Sequence, residues 1–256
     1  MSAWRSFGGW DRRRARFRTR TTKSVDTGAT YRRTLHRSNR EYRCYILAMA
    51  TRSGTVPFRF IGGDLALDFV NTVDWTVPEP SNDRLESFGR LLEWAREATL
   101  LTSAHVGRLR RLAENRPREA TAAVTEARRV RGSLQRVFTA VIDLRRDGPA
   151  LEEFNRILVE TVRHLRVTRS GAGRAWSWSL GTTGEDFRAP LRAVVWAAAN
   201  LLAGAELGRL RRCGDDDCGW LFLDRSRNGL RRWCQMKTCG TREKSRRRRV
   251  GVSGGG

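Results

Sequence analysis

Residues 213–240 read CGDDDCGWLFLDRSRNGLRRWCQMKTCG and hold four of the chain's five cysteines. The spacing is Cys-x4-Cys, fifteen residues, and Cys-x4-Cys again, and each half ends in Cys-Gly, at Cys218-Gly219 and Cys239-Gly240. Nothing else in the sequence constrains folding as tightly, because two thiol pairs that meet close this stretch around one centre. A glycine after the second cysteine permits the backbone angles with which a metal-binding turn aims amide N–H groups at sulfur. No histidine lies near the cluster, so the expected ligands are Cys213, Cys218, Cys234 and Cys239. Four thiolates suit a tetrahedral, structural Zn2+ with Zn–S bonds of about 2.3 Å and no position open to water or substrate.

Competing chemistries fit less well. Iron–sulfur clusters also take four cysteines, but two symmetrical pairs flanking a hairpin point to zinc. A redox pair would show Cys-x-x-Cys beside a βαβ unit, and disulfides would need an oxidising compartment. Cys44 stands apart and has no assigned role. Between the pairs, Trp220 to Leu223 read as a strand, Asn228-Gly229 as a tight turn, and Leu230 to Trp233 as the returning strand. A helix then runs through QMKTCGTREKSRRRR. The expectation is a ββα-like module of about forty residues whose core of Trp220, Phe222 and Trp233 would hardly hold without metal.

This device sits in a very basic chain of net charge +23. Residues 1–48 carry 13 Lys and Arg against 3 acids, residues 209–256 carry 14 against 5, and the middle is nearly balanced at 23 against 19. Positive ends favour a polyanionic partner, nucleic acid above all. No apolar run approaches the eighteen or so residues needed to span a bilayer, so no membrane partner is expected. CYILAMA at 44–50 is too short, and too far from the start, for a secretory signal. The expected location is the cytoplasm, where thiols stay reduced.

Residues 1–48 lack any sustained period and read as a disordered basic segment, either an arm that grips phosphates or sequence upstream of a start at Met49. Residues 49–208 read as an α+β domain, mainly helical. Phe58 and Phe60 alternate about Arg59 as in a strand, Gly62-Gly63 break it, and Asp64 caps a helix carrying Asp68 and Asn71. Those two polar groups could line a ligand pocket together with Trp176 and Trp178, or anchor a neighbouring loop; the habit of buried polar groups favours anchoring.

Helical spacing continues through Leu85–Ala95, through Val106–Leu112 behind a Ser103 cap, and through 118–146 and 151–165, with charged residues on solvated faces. His105 and His164 lack metal spacing. Leu165 and Val167, then Trp176, Trp178 and Leu180, alternate around SGAGR as a hairpin with one apolar face. A last helix, Leu191–Leu207, is almost uncharged and should be buried. The whole is therefore an α+β fold: a mainly helical N-terminal domain with a small antiparallel hairpin, followed without a linker by a zinc-bound ββα-like module at 209–249 and a flexible tail at 250–256.

CGWLFLDRSRNGLRRWCQMKTCGTREKSRRRR resembles the CGNR zinc finger, and FIGGDLALDFVNTV resembles the start of the ABATE domain that commonly precedes it. The resemblance implies a bacterial, stress-linked transcription regulator whose finger binds DNA. The motif naming the finger is Cys-Gly-Asn-Arg, but here Thr241 replaces the Asn in Cys239-Gly240-Thr241-Arg242. If that Asn reads a base or fixes the loop, the Thr alters that role while leaving metal binding intact.

The expected nucleic-acid contacts are Arg227, Arg231, Arg232, Thr241, Arg242, Lys244, Arg246, Arg247, Arg248 and Arg249, and RNA would satisfy the same charge as DNA. No nucleophile–base set, open metal triad or phosphate loop points to an enzyme. The N-terminal domain is expected to sense a small-molecule effector or to mediate interactions; the alternative is an N-terminal domain that binds a small molecule or carries an activity, with the zinc finger purely structural.

Overall fold

The structure, a computed structural model, describes residues 56–76, 79–170, 175–181 and 185–253. The basic segment at 1–48, the start at Met49, Cys44 and the end of the tail lie outside them. Among the described residues, six helices build the N-terminal region: α1 (Leu65–Val70), α2 (Phe88–Glu97), α3 (Ser103–Asn115), α4 (Pro117–Ile142), α5 (Gly148–Val162) and α6 (Ala189–Leu202). Their starts are chemically marked. Asp64, Ser87 and Asp147 accept first-turn N–H groups, and Pro117 opens α4 where a missing N–H costs nothing. For α3 the cap is Thr102, one residue before the expected Ser103. The long α4 packs against α1, α2, α3 and α5, and α6 packs against α1 and α5.

Two arginines on these helices are buried, Arg131 against the solvated face expected of its helix and Arg192 on α6, the helix expected to be buried. Arg131 of α4 is buried and forms a bidentate pair with Asp83 at 2.7 and 2.8 Å, with Thr72 Oγ1 accepting at 3.0 Å. Burial pushes the Asp83 carboxyl up, but the Arg131 hydrogen bonds and charge win and hold it below the ordinary aspartate value. Arg192 of α6 is likewise buried and paired with Asp186. Such pairs persist because a guanidinium fork meets a carboxylate in two parallel bonds.

The hairpin expected around SGAGR forms, as β1 (Arg166–Ser170) and β2 (Ala175–Ser179), with Val167 opposite Trp178 and Arg169 opposite Trp176. Its apolar face is not buried: Val167, Trp176 and Trp178 remain 55%, 59% and 52% exposed. Trp178 meets Trp196 of α6 edge-on, centroids 6.5 Å apart.

The second sheet corrects the expected pairing. Its strand β4 (Leu221–Leu223) forms, but the partner is β3 (Leu210–Arg212), upstream of the first cysteine, in the register Leu210–Leu223, Arg211–Phe222 and Arg212–Leu221. The first cysteine pair thus lies in the loop joining the strands. Residues 230–233 do not return as a strand; Asp224 takes the Arg231 N–H instead, its carboxylate accepting from Ser226 N and Oγ and from Arg231 N at 2.9, 2.6 and 3.0 Å. Side-chain acceptors of this kind compete directly with strand pairing. Asn228-Gly229 still turns the chain, with Gly229 at φ +66°. Phe58 and Phe60 also lie outside any strand. After β4 come a π-helical turn, Met236–Gly240, and α7 (Thr241–Ser253), which continues past the expected boundary at 249.

Successive β4 side chains point to opposite faces. Leu221 and Leu223 enter the main core with the helices, whereas Trp220 and Phe222 join the four cysteines in a second core. The strand is also tied in through its backbone. The Asn71 amide both donates to Leu221 O at 2.8 Å and accepts from Leu221 N at 3.0 Å, and Leu223 N donates to Gly62 O at 2.8 Å.

Asn71→Leu would leave both backbone groups of Leu221 buried and unpaired. The expected cost is roughly 2–5 kcal/mol. It should appear in chemical denaturation as a lower midpoint at unchanged slope, and an unaltered midpoint would contradict the clamp.

Candidate metal centre

Four elements bring the cysteines together. Cys213 follows β3, Cys218 precedes β4, Cys234 ends the loop that Asp224 organises, and Cys239 sits in the π-helical turn. All four are buried and free of disulfides. Their sulfurs lie within 4.8 Å of one another, with Cys218–Cys234 at 3.6 Å and Cys234–Cys239 at 3.5 Å. Tetrahedral thiolates at Zn–S bonds of about 2.3 Å would stand about 3.8 Å apart, while a disulfide would need about 2.0 Å. The donor set and spacing therefore fit one Zn2+ held by four cysteines.

The electrostatics of the cluster suit a cation. Hydrogen bonds from Cys218, Cys234 and Cys239 hold the Cys213 thiol far below its ordinary range, while the same neighbours, Cys213 first, together with burial push Cys218 and Cys234 far up. Four thiolates cannot share this volume on their own, and a divalent ion removes the conflict by deprotonating all of them. All four sulfurs of the cluster would be taken up in holding such an ion.

The two cysteine pairs are not equivalent. The expected N–H to sulfur bond runs between them, from Cys234 N to Cys213 Sγ at 3.3 Å, and Gly214 N meets Arg232 O at 2.8 Å. Gly219 has φ +66°, and a Cβ there would stand 2.3 Å from Trp75 O. Gly240 needs no left-handed backbone; its side-chain space is instead filled by Met236 Sδ, 2.5 Å from where a Cβ would lie. The glycine of the first pair thus answers both to backbone angle and to the N-terminal region pressed against it.

That region completes the centre. Ile61 and Trp75 pack on the metal core, the Trp220 indole N–H donates to Val73 O at 3.0 Å, and Arg59 donates to Gln235 Oε1 at 3.0 Å. The expected core of Trp220, Phe222 and Trp233 is present, but it shares its packing with residues some 150 positions upstream, Ile61 and Trp75.

The candidate nucleic-acid residues divide into two groups. Arg242 and Arg246 turn inward onto the acidic triplet of the first pair. Arg242 Nε lies 2.9 Å from buried Asp215, and Arg246 reaches Asp216 at 3.1 Å and Asp217 at 2.8 Å. Burial, helped by Cys239 alongside, raises the Asp215 carboxyl, and Arg242 opposes that. Arg247 pairs with Glu243 at 2.8 Å. Arg231 is half-buried over the Phe222 ring at 4.2 Å and donates to the carbonyls of Ile61, Trp233 and Cys234.

Arg227, Arg232, Lys244 and Arg248 are exposed, Arg232 lies over Trp233, and none of the four forms an ion pair within 4 Å among the described residues. Thr241 is exposed and donates to Met236 O at 3.2 Å. The side chain of Arg249 lies outside the described residues. Sequence reading missed Asp215–Asp217 as partners, although acids between two ligands, answered by arginines at i and i+4 in the following helix, are a readable signal.

The four candidate pocket residues are not brought together. Asp68 accepts from Gly62 N at 2.7 Å and Asn71 holds Leu221, as loop anchors do, while Trp176 and Trp178 lie on the exposed hairpin. None of them lines the two clefts found, one at the metal centre and one between α4, α5 and α6. No described helix is long and apolar enough to cross a membrane.

Residues 63–205 match the ABATE family, described as "Putative stress-induced transcription regulator", and residues 209–250 match the CGNR zinc finger. No curated protein matches the chain.

Metal analysis should find one zinc per chain, lost on Cys→Ser substitution at any ligand. Chelation should abolish the near-ultraviolet signal of Trp220 and Trp233 while most of the helical signal of α1–α6 stays; loss of both together would show that the helices need the metal too. Gly219→Ala should cost roughly 3 kcal/mol or more. A melting temperature equal to the parent's would contradict the Trp75 contact.

Proposed function

The chain belongs to the ABATE family, here with a CGNR zinc finger behind that domain, and on this premise we propose that it is a non-enzymatic, cytoplasmic, DNA-binding transcription regulator. In this reading one Zn2+ on Cys213, Cys218, Cys234 and Cys239 holds the finger, α7 meets the duplex, and the N-terminal domain senses a small molecule. The zinc supplies no reactivity. It fixes where the π-helical turn ends and α7 begins.

One observation carries the DNA reading. Residues 237, 241, 244 and 248 recur at i, i+4, i+7 and i+11, so Lys237, Thr241, Lys244 and Arg248 share one face of the turn and α7, and all four are exposed. Cys239, Arg242 and Arg246 share the opposite face, the one tied to the metal and to Asp215–Asp217. The acids thus neutralise the inward arginines and leave an outward stripe of uncompensated charge. Phosphate oxygens are the natural acceptors for such a stripe, with Arg227 and Arg232 as further exposed donors. Thr241, where the finger's naming motif has Asn, lies within it.

Lys244→Ala combined with Arg248→Ala should weaken duplex binding roughly tenfold and flatten the logarithmic salt dependence by about 2, because two phosphates then keep their counterions. Gel retardation across a salt series measures both. Affinity indifferent to salt, or to this double substitution, would refute the reading, and a clear preference for RNA competitor would reassign the surface to RNA.

A further inference from the structure

We infer that the cleft between α4, α5 and α6 is a binding site for a small carboxylate with an apolar body, such as an aromatic or branched aliphatic acid. The inference rests on the reading of the N-terminal domain as the sensing part, and gives it a location that the sequence does not indicate.

The cleft has a volume of about 250 Å3. Its floor is aliphatic, formed by the buried Val130, Leu191 and Val195 with Ile157 beside them. Its walls are cationic, with four arginines against two glutamates. An apolar floor under a few convergent polar groups is the usual character of a small-molecule site.

The ion pairs around it leave specific groups unsatisfied. Both glutamates are engaged: Glu126 by Arg188 at 2.6 Å and Glu160 by Arg163 at 3.3 Å. Arg129 is directed to Glu153 at 3.2 Å. Arg156, by contrast, forms no ion pair within 4 Å among the described residues. Arg192 is 6% exposed and spends its terminal nitrogen on Asp186 and Gly181 O, but its buried Nε has no acceptor. A buried N–H left unpaired is costly, so an acceptor entering the cleft is favoured.

Charge and size select the ligand. A single negative charge matches Arg156, the lining arginine without an ion pair among the described residues, with Arg192 Nε as a further donor, whereas a phosphate dianion would bring a second charge that no unpaired lining arginine answers. The volume is below the range usual for drug-sized ligands and too small for a nucleotide. The aliphatic floor then calls for a hydrocarbon body of a few carbons or one ring.

Isothermal titration calorimetry on the zinc-loaded full chain, without DNA, tests this with benzoate and 3-methylbutanoate as probes and benzamide as the uncharged control. Benzoate or 3-methylbutanoate is expected to bind with a Kd on the order of 1 mM or tighter, and benzamide about tenfold more weakly. Arg156→Ala should weaken the carboxylate about tenfold, and Arg156→Glu more. Arg156 is exposed, so neither substitution should disturb folding. No heat from either acid, equal affinity for benzamide, or affinity unchanged in both variants would overturn the assignment. Because DNA is left out, failure of this site and failure of the DNA reading are separately visible.

Discussion

One three-residue strand holds this protein together. β4 turns Leu221 and Leu223 into the helical core and Phe222, beside Trp220 just before the strand, into the cysteine core, and Asn71 satisfies both polar groups of the Leu221 backbone as a neighbouring strand would. A buried peptide group needs such partners, and here an α1 terminus supplies them. The finger is consequently continuous with the domain before it. Ile61, Val73 and Trp75 all reach it, and Gly219 is required at its closest approach to the Trp75 backbone.

Charge is organised by the same contacts. A count of Arg residues suggests a uniformly basic tail, but the Asp215–Asp217 triplet and Glu243 divide α7 into a compensated inner face and an open outer face. The pairing anchors the helix to the first cysteine pair, so the acids that lower the net charge also set the direction in which the remaining charge points. Arg231 illustrates the other use of a cation: laid over Phe222 and bonded to three carbonyls, it closes a loop. Arg131 and Arg192 do comparable work inside the helical region, Arg131 on a helix whose amphipathic pattern alone reads it as surface.

The departure from the finger's naming motif is local. Thr241 keeps a side-chain donor at the junction of the π-helical turn and α7, and spends it on Met236 O. The cysteine and glycine before it retain their places, Cys239 in the metal set and Gly240 against Met236. Its exposure on the outward stripe places the change on the proposed contact face, away from the metal.

Local signals in the chain sufficed for several features: the four ligands from paired spacing, the helices from apolar periodicity and caps, the β1–β2 hairpin from alternation about a glycine turn, and strand β4. These depend on residues close in sequence, where residue type limits the backbone directly. Only the tertiary structure decided that β4 pairs with β3 instead of Leu230–Trp233, that Asn71 and Asp68 are anchors and line no described cleft, that Trp176 and Trp178 stay exposed, and which arginines face inward. Each of those outcomes is a competition among hydrogen-bond and ion-pair partners far apart in the chain, such as Asp224 against a strand edge or Asp215 against solvent for Arg242, and it is settled by which groups are brought within about 3 Å of one another.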